Sequence, residues 1–218
     1  MGLFYVGATA LMKLLLIGLT RWRVEGKENV PRRGPLIVVS NHLSLIDPPL
    51  LGASIPRRIS FMAKEELFES TFSRMVVEGY GAFPVRRGRL DKQALRSAWH
   101  ALDAQGVLGM FPEGRRSSDG HMREAEDGAA RIASRKGAQL LPVGIVGSNQ
   151  VKGVSVIIQR PRVTVTIGRP FSLPLDDHKP RRERLREHTS LIVQHIAELL
   201  PASHQPKTTS VLALSDAD

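Results

Sequence analysis

His42 and Asp47 are separated by four residues in the run Asn-His-Leu-Ser-Leu-Ile-Asp, 41–47, directly after the β-branched run Leu-Ile-Val-Val-Ser at 36–40. An imidazole at a strand end, with a carboxylate near enough to fold back on it, is what a general base and its orienter need. The carboxylate fixes the tautomer and stabilises the imidazolium, and the other ring nitrogen is left to take a proton. Ser44 favours a local turn, and Pro48 biases Asp47 away from helical backbone, so a compact loop can bring the acid onto the ring. A lone histidine there would equally cap a loop carbonyl; its neighbours give the pair meaning. The chain has no Cys and no Gly-x-Ser-x-Gly elbow, so the nucleophile is expected to be a hydroxyl of the substrate.

A second cluster, Phe-Pro-Glu-Gly-Arg-Arg-Ser-Ser-Asp-Gly at 111–120, follows another apolar run. Glu113, Arg115 and Arg116 flank Gly114, which allows a tight backbone, and Ser117 and Ser118 add hydroxyls. Guanidinium forks and hydroxyls on a loop suit a phosphate monoester, although a solvated charged turn has the same composition. A third basic site, 81–88, ends in Arg86 and Arg87. Three strand ends of this kind can converge in one cleft, where α/β sheets place their sites.

The elements that must position these residues alternate. Strands are expected at 23–25, 36–40, 59–63, 81–85, 107–111, 140–146 and 163–167, with Pro142 implying an edge or irregular strand. Helices are expected from Leu50, at 91–105 with Asp91 as its cap, near 127–136, and from Pro180 to Leu200. This pattern predicts an α/β fold, a mainly parallel central sheet flanked by helices. Leu67, Phe68, Phe72 and Met75 line an acyl channel or fill the core, the core being favoured.

With 218 residues and 42% apolar content the chain can bury one sizeable core. Lys and Arg number 31 against 21 Asp and Glu, a formal +10 that attracts anionic lipid, phosphorylated substrate or nucleic acid alike. The low aromatic content of 5% and the lack of any nucleic-acid-binding signature argue against the last. Residues 2–20 are apolar on every face with one charge, Lys13. No cleavage pattern follows, so a signal peptide fits poorly. A spanning helix needs roughly 20 apolar residues, and a mid-bilayer Lys costs about 2.5 to 3.5 kcal/mol. A helix lying in the membrane interface is therefore expected, with Trp22, Arg21 and Arg23 at headgroup depth; docking on the domain's own core is the alternative. The expected organisation is 1–22 interface helix, 23–200 catalytic domain, 201–218 flexible tail.

Four blocks in this order resemble the lysophosphatidic acid acyltransferase (1-acylglycerol-3-phosphate O-acyltransferase) family. Its Asn-His, four residues, Asp motif is matched at Asn41, His42 and Asp47, and its Phe-Pro-Glu-Gly-Thr-Arg-Ser motif at 111–117 with Arg115 in place of Thr. Arg87 matches its phosphate-binding Arg, with Arg86 where an acidic residue is usual, and Leu141, Pro142 and Val143 match its Pro-Val strand. The resemblance implies direct transfer from acyl-CoA or acyl carrier protein to the sn-2 hydroxyl of 1-acylglycerol 3-phosphate, giving phosphatidic acid in phospholipid biosynthesis. It makes His42 the base and Asp47 its orienter, with Arg87, Glu113, Gly114, Arg116 and Ser117 binding substrate. It requires no metal or redox cofactor, and implies a monotopic or peripheral place on the cytoplasmic face of the cell membrane. The two extra arginines leave the acceptor headgroup open: another lysolipid or glycerol 3-phosphate remains, as does a non-catalytic protein that binds anionic lipid.

Overall fold

The structure is a computed structural model that describes residues 2–86, 91–174 and 180–206, the side chain of Lys136 excepted. Helix α1 (Leu3–Leu19) leads into β1 (Arg21–Glu25), β2 (Leu36–Ser40), α2 (Asp47–Ser54), β3 (Ile59–Lys64), α3 (Thr71–Gly79) and β4 (Ala82–Val85). Then follow α4 (Lys92–Asp103), β5 (Val107–Met110), α5 (Gly128–Lys136), β6 (Gln139–Val146), α6 (Ser155–Gln159), β7 (Arg162–Ile167) and α7 (Arg181–Ala197). The seven strands form one sheet in the order β1-β7-β6-β2-β5-β3-β4. Every pairing is parallel except β6 with β7.

All five residues of β2 are buried, because both faces of a crossover-connected parallel sheet are covered. Ile37 and Val39 join Leu102, Leu108, Ile132 and Ile196 in a core under α4, α5 and α7. Leu36 and Val38 face the other way, onto Leu16 of α1 and Leu50 and Leu51 of α2. β7 alternates as expected, with Val163, Val165 and Ile167 buried and the threonines half-buried between them. Asp91 caps α4 by accepting from the amides of Gln93 and Ala94, and it also takes the Arg86 amide at 3.0 Å, closing the loop from β4 to α4.

Several expectations are corrected. Helix α2 starts at Asp47 rather than Leu50; Pro48 and Pro49 sit in its first turn, where a missing N–H costs nothing. Pro142 lies in an interior strand. Its absent N–H falls where β6 faces the gap between the Leu140–Phe171 bridge and the start of β7 pairing at Val143, and its carbonyl accepts from Gly168. Leu67, Phe72 and Met75 are exposed, and Phe68 is half-buried outside both cores. Trp22 is half-buried against the core rather than turned outward. Residues 201–206 pack on the body, with Met122 N–H donating to the His204 carbonyl and the Gln205 side chain donating to Ala197 and Leu200; the rest of the expected tail lies outside the described residues.

Helix α1 docks by one narrow stripe. Tyr5 and Leu16 are buried, while Leu3, Leu11, Leu14 and Ile17 are exposed. No described helix is long and apolar enough to cross a membrane.

Replacing Asp91 with Ala removes both cap bonds, so urea unfolding should show a loss of about 1 kcal/mol, largely restored by Asn at the same position. An unchanged midpoint for the Ala variant would contradict this capping role.

Candidate active site

β2 and β5 are neighbours, so their carboxyl ends open side by side. Nδ1 of His42 lies 2.8 Å from Oδ2 of Asp47, and that oxygen also accepts the amides of Leu43 and Ser44, each at 2.7 Å. A carboxylate at the first residue of a helix is favoured by the helix dipole. Buried as it is, it needs these donors. An acceptor-only partner makes Nδ1 the protonated nitrogen and leaves Nε2 with its lone pair. Oδ1 of Asp47 is buried without a partner among the described residues. The imidazole stacks on Phe111, ring centroids 4.0 Å apart.

The loop after β5 holds His42 by its backbone. Oε1 of Glu113 accepts the His42 N–H at 3.0 Å, and the Ser117 N–H donates to the His42 carbonyl at 2.7 Å. Oε2 of Glu113 accepts the Arg123 N–H. On the other side, the Asn41 amide donates to the Ile145 carbonyl and accepts its N–H, extending the β2–β6 ladder with a side chain. Burial pushes the Glu113 carboxyl up to about 7, against the two amides that favour its charged form.

The expected phosphate loop is therefore divided. Glu113 and Ser117 spend their polar groups inside the protein: the Ser117 hydroxyl donates to Asp119 and accepts from Gly120. The Glu113 carboxyl and the Ser117 N–H hold the His42 backbone in place. Gly114 lines the cavity with positive φ, and a Cβ there would press on the Glu126 carboxylate. Arg115 and Arg116 are exposed. Arg86 pairs with Glu65 at 2.8 Å. Arg87 lies outside the described residues; its neighbours Arg86 and Asp91 both line the cavity.

That cavity, of about 420 Å³, is bounded by His42 and Phe111, by the apolar side chains of Met62, Leu95, Met110 and Ile132, and by charged groups including Arg131, Glu126 and Asp127. A hydroxyl brought to Nε2 there would sit beside apolar walls able to hold a hydrocarbon chain. Among the described residues no group of three or more His, Asp or Glu side chains is placed to hold a metal ion. Sequence reasoning missed the bracing roles of Asn41, Phe111 and Glu113. Their place in the same two motifs as His42 was the available signal.

Residues 21–146 match the model of a family described as Acyltransferase. A 1-acyl-sn-glycerol-3-phosphate acyltransferase of Bacillus subtilis is 29% identical over 178 residues, 81% of this chain and 87% of the relative. A lyso-ornithine lipid O-acyltransferase of Pseudomonas aeruginosa is 32% identical over 127 residues, 56% of this chain and 46% of the relative. The crystal structure of the 1-acyl-sn-glycerophosphate (LPA) acyltransferase PlsC from Thermotoga maritima superposes with a TM-score of 0.69 at 26% identity, covering 89% of this chain and 79% of that one.

Glu113 carries a pH signature. A carboxyl whose folded pKa, about 7, lies above the ordinary glutamate value of 4.5 holds its proton more tightly when folded. Its contribution to stability is full below the lower value and is lost as pH rises through the upper one. Glutamine does not titrate. Between about pH 4.5 and 7 the stability of the wild type should therefore fall relative to Glu113→Gln by up to about 3 kcal/mol, read by urea unfolding across that range. Parallel pH profiles would contradict the buried titration.

Proposed function

The chain belongs to the acyltransferase family, and from that premise we propose that it moves a fatty acyl group from a thioester donor to the sn-2 hydroxyl of 1-acylglycerol 3-phosphate, giving phosphatidic acid. The observation that carries this is the His42 Nδ1–Asp47 Oδ2 contact of 2.8 Å with His42 lining the cavity. Nε2 takes the proton of the acceptor hydroxyl as its oxygen attacks the thioester carbonyl. Asp47 stabilises the imidazolium that results. The tetrahedral intermediate then expels the thiolate, which takes the proton back from the ring, and the ester and free thiol leave. No acyl-enzyme forms.

Acyl-CoA and acyl carrier protein both fit the donor role, and the chemistry uses no metal or redox cofactor. Arg116 and Arg87 are assigned to the acceptor phosphate by their places in the matched motifs, since a guanidinium can fork onto a phosphoryl group, and Arg116 is exposed two residues past the cavity-lining Gly114. The apolar cavity wall is assigned to an acyl chain. The exposed stripe of α1 is assigned to the membrane surface that supplies the lipid, on its cytoplasmic side. A lysolipid with a cationic headgroup is the second reading; it rests on Glu126 and Asp127 lining the cavity and fits the lyso-ornithine relative.

Purified protein incubated with a panel of lysolipids and acyl donors, with products read by mass, should give phosphatidic acid from lysophosphatidic acid. His42→Ala should lower the rate by ~10²–10⁴-fold with an unchanged circular dichroism spectrum; a largely active variant overturns the mechanism. Arg116→Ala should raise KM for the phosphorylated acceptor with little change in kcat. An unchanged KM removes Arg116 from the site.

A further inference from the structure

Every exposed large hydrophobic side chain among the described residues belongs to α1, to Leu45 in the catalytic loop, to residues 67–76, or to the segment around α6; α4, α5 and α7 have none. α6 is the part not yet accounted for. Val154, Ile157 and Ile158 are 83, 62 and 88% exposed while Val156 between them is buried, so the three share the outer face of one helical turn. A soluble surface scatters such residues singly. The stretch 151–162 holds Lys152, Arg160 and Arg162 and no acidic residue. Arg160 adopts positive φ, rare outside glycine, and its guanidinium donates to the Ile17 carbonyl at the end of α1. The α6 tip is thereby tied to the helix that carries the largest exposed apolar stripe.

We propose that α6 is a second lipid-inserting element, its three aliphatic side chains entering the headgroup–acyl boundary of an anionic bilayer while Lys152 and Arg160 meet the lipid phosphates. Apolar tips ringed by cations match that surface in both chemistry and charge. Two points of attachment, α1 and α6, restrict rotation of the domain about either alone. This deepens the membrane assignment given to α1 and rests on it.

The test uses the full chain and sedimentation with phosphatidylcholine vesicles, with and without phosphatidylglycerol. The triple variant Val154→Ser, Ile157→Ser, Ile158→Ser should bind the anionic vesicles about tenfold or more weakly than the wild type. Its melting temperature, and its transfer to an acceptor presented in detergent micelles, should be unchanged. Because the chain has no native Cys, Ile158→Cys carrying an environment-sensitive fluorophore gives a single-site readout, and its emission should shift to the blue on adding anionic vesicles. Wild-type binding by the triple variant, or a label blind to vesicles, overturns the inference. If Leu14→Ser, Ile17→Ser loses binding in that case, the α1 assignment stands alone; if the wild type itself fails to bind, both fall. A blue shift that follows protein concentration without lipid marks a contact between copies and overturns it too.

Discussion

The backbone of one residue, His42, is held on both sides, and the chemistry depends on it. The His42 N–H goes to the Glu113 carboxyl and its carbonyl takes the Ser117 N–H, so the loop after β5 sets where the imidazole can stand. Asn41 fastens the preceding residue to β6, and Phe111 supports the ring's face. Only with the backbone fixed does Asp47, rigid at the start of α2, meet Nδ1 rather than solvent. A catalytic group must be held within a fraction of an ångström, and rigid strand ends do this better than a free loop.

Two buried carboxyls therefore serve one histidine in different ways. Asp47 gathers three donors on one oxygen and faces the ring; Glu113 gathers two amides, one on each oxygen, and faces the backbone. Desolvation dominates at Glu113 and pushes its proton affinity up, with the Asp47 charge adding to it. Burying both near one site is tolerable because each has its own set of amides.

The sheet was largely legible. Continuous β-branched runs mark strands buried on both faces, and Asp91 marks the start of α4 because a cap is a local chemical event. The dyad was legible as well, since a strand end, a short spacing and the lack of any enzyme nucleophile all bear on it. What escaped depended on distant partners. Glu113 reads as a phosphate-loop residue beside arginines, but its oxygens face amides 71 and 10 residues away in sequence. Pro142 reads as an edge marker until the gap beside β6 is known. Leu67, Phe72 and Met75 have core-type side chains, yet they lie on the surface. Residues 154–158 gave no periodic signal, because a single turn is too short to show one.

The central claim is that Asp47 fixes His42 with its proton on Nδ1, leaving Nε2 basic toward the cavity. The direct measurement is the ¹⁵N spectrum of the protein labelled at histidine, compared between wild type and Asp47→Asn. In the neutral ring, His42 should show a protonated Nδ1 and a bare Nε2 in the wild type, and should lose that preference in the variant. A wild-type ring protonated at Nε2, or one indifferent to residue 47, would contradict the account.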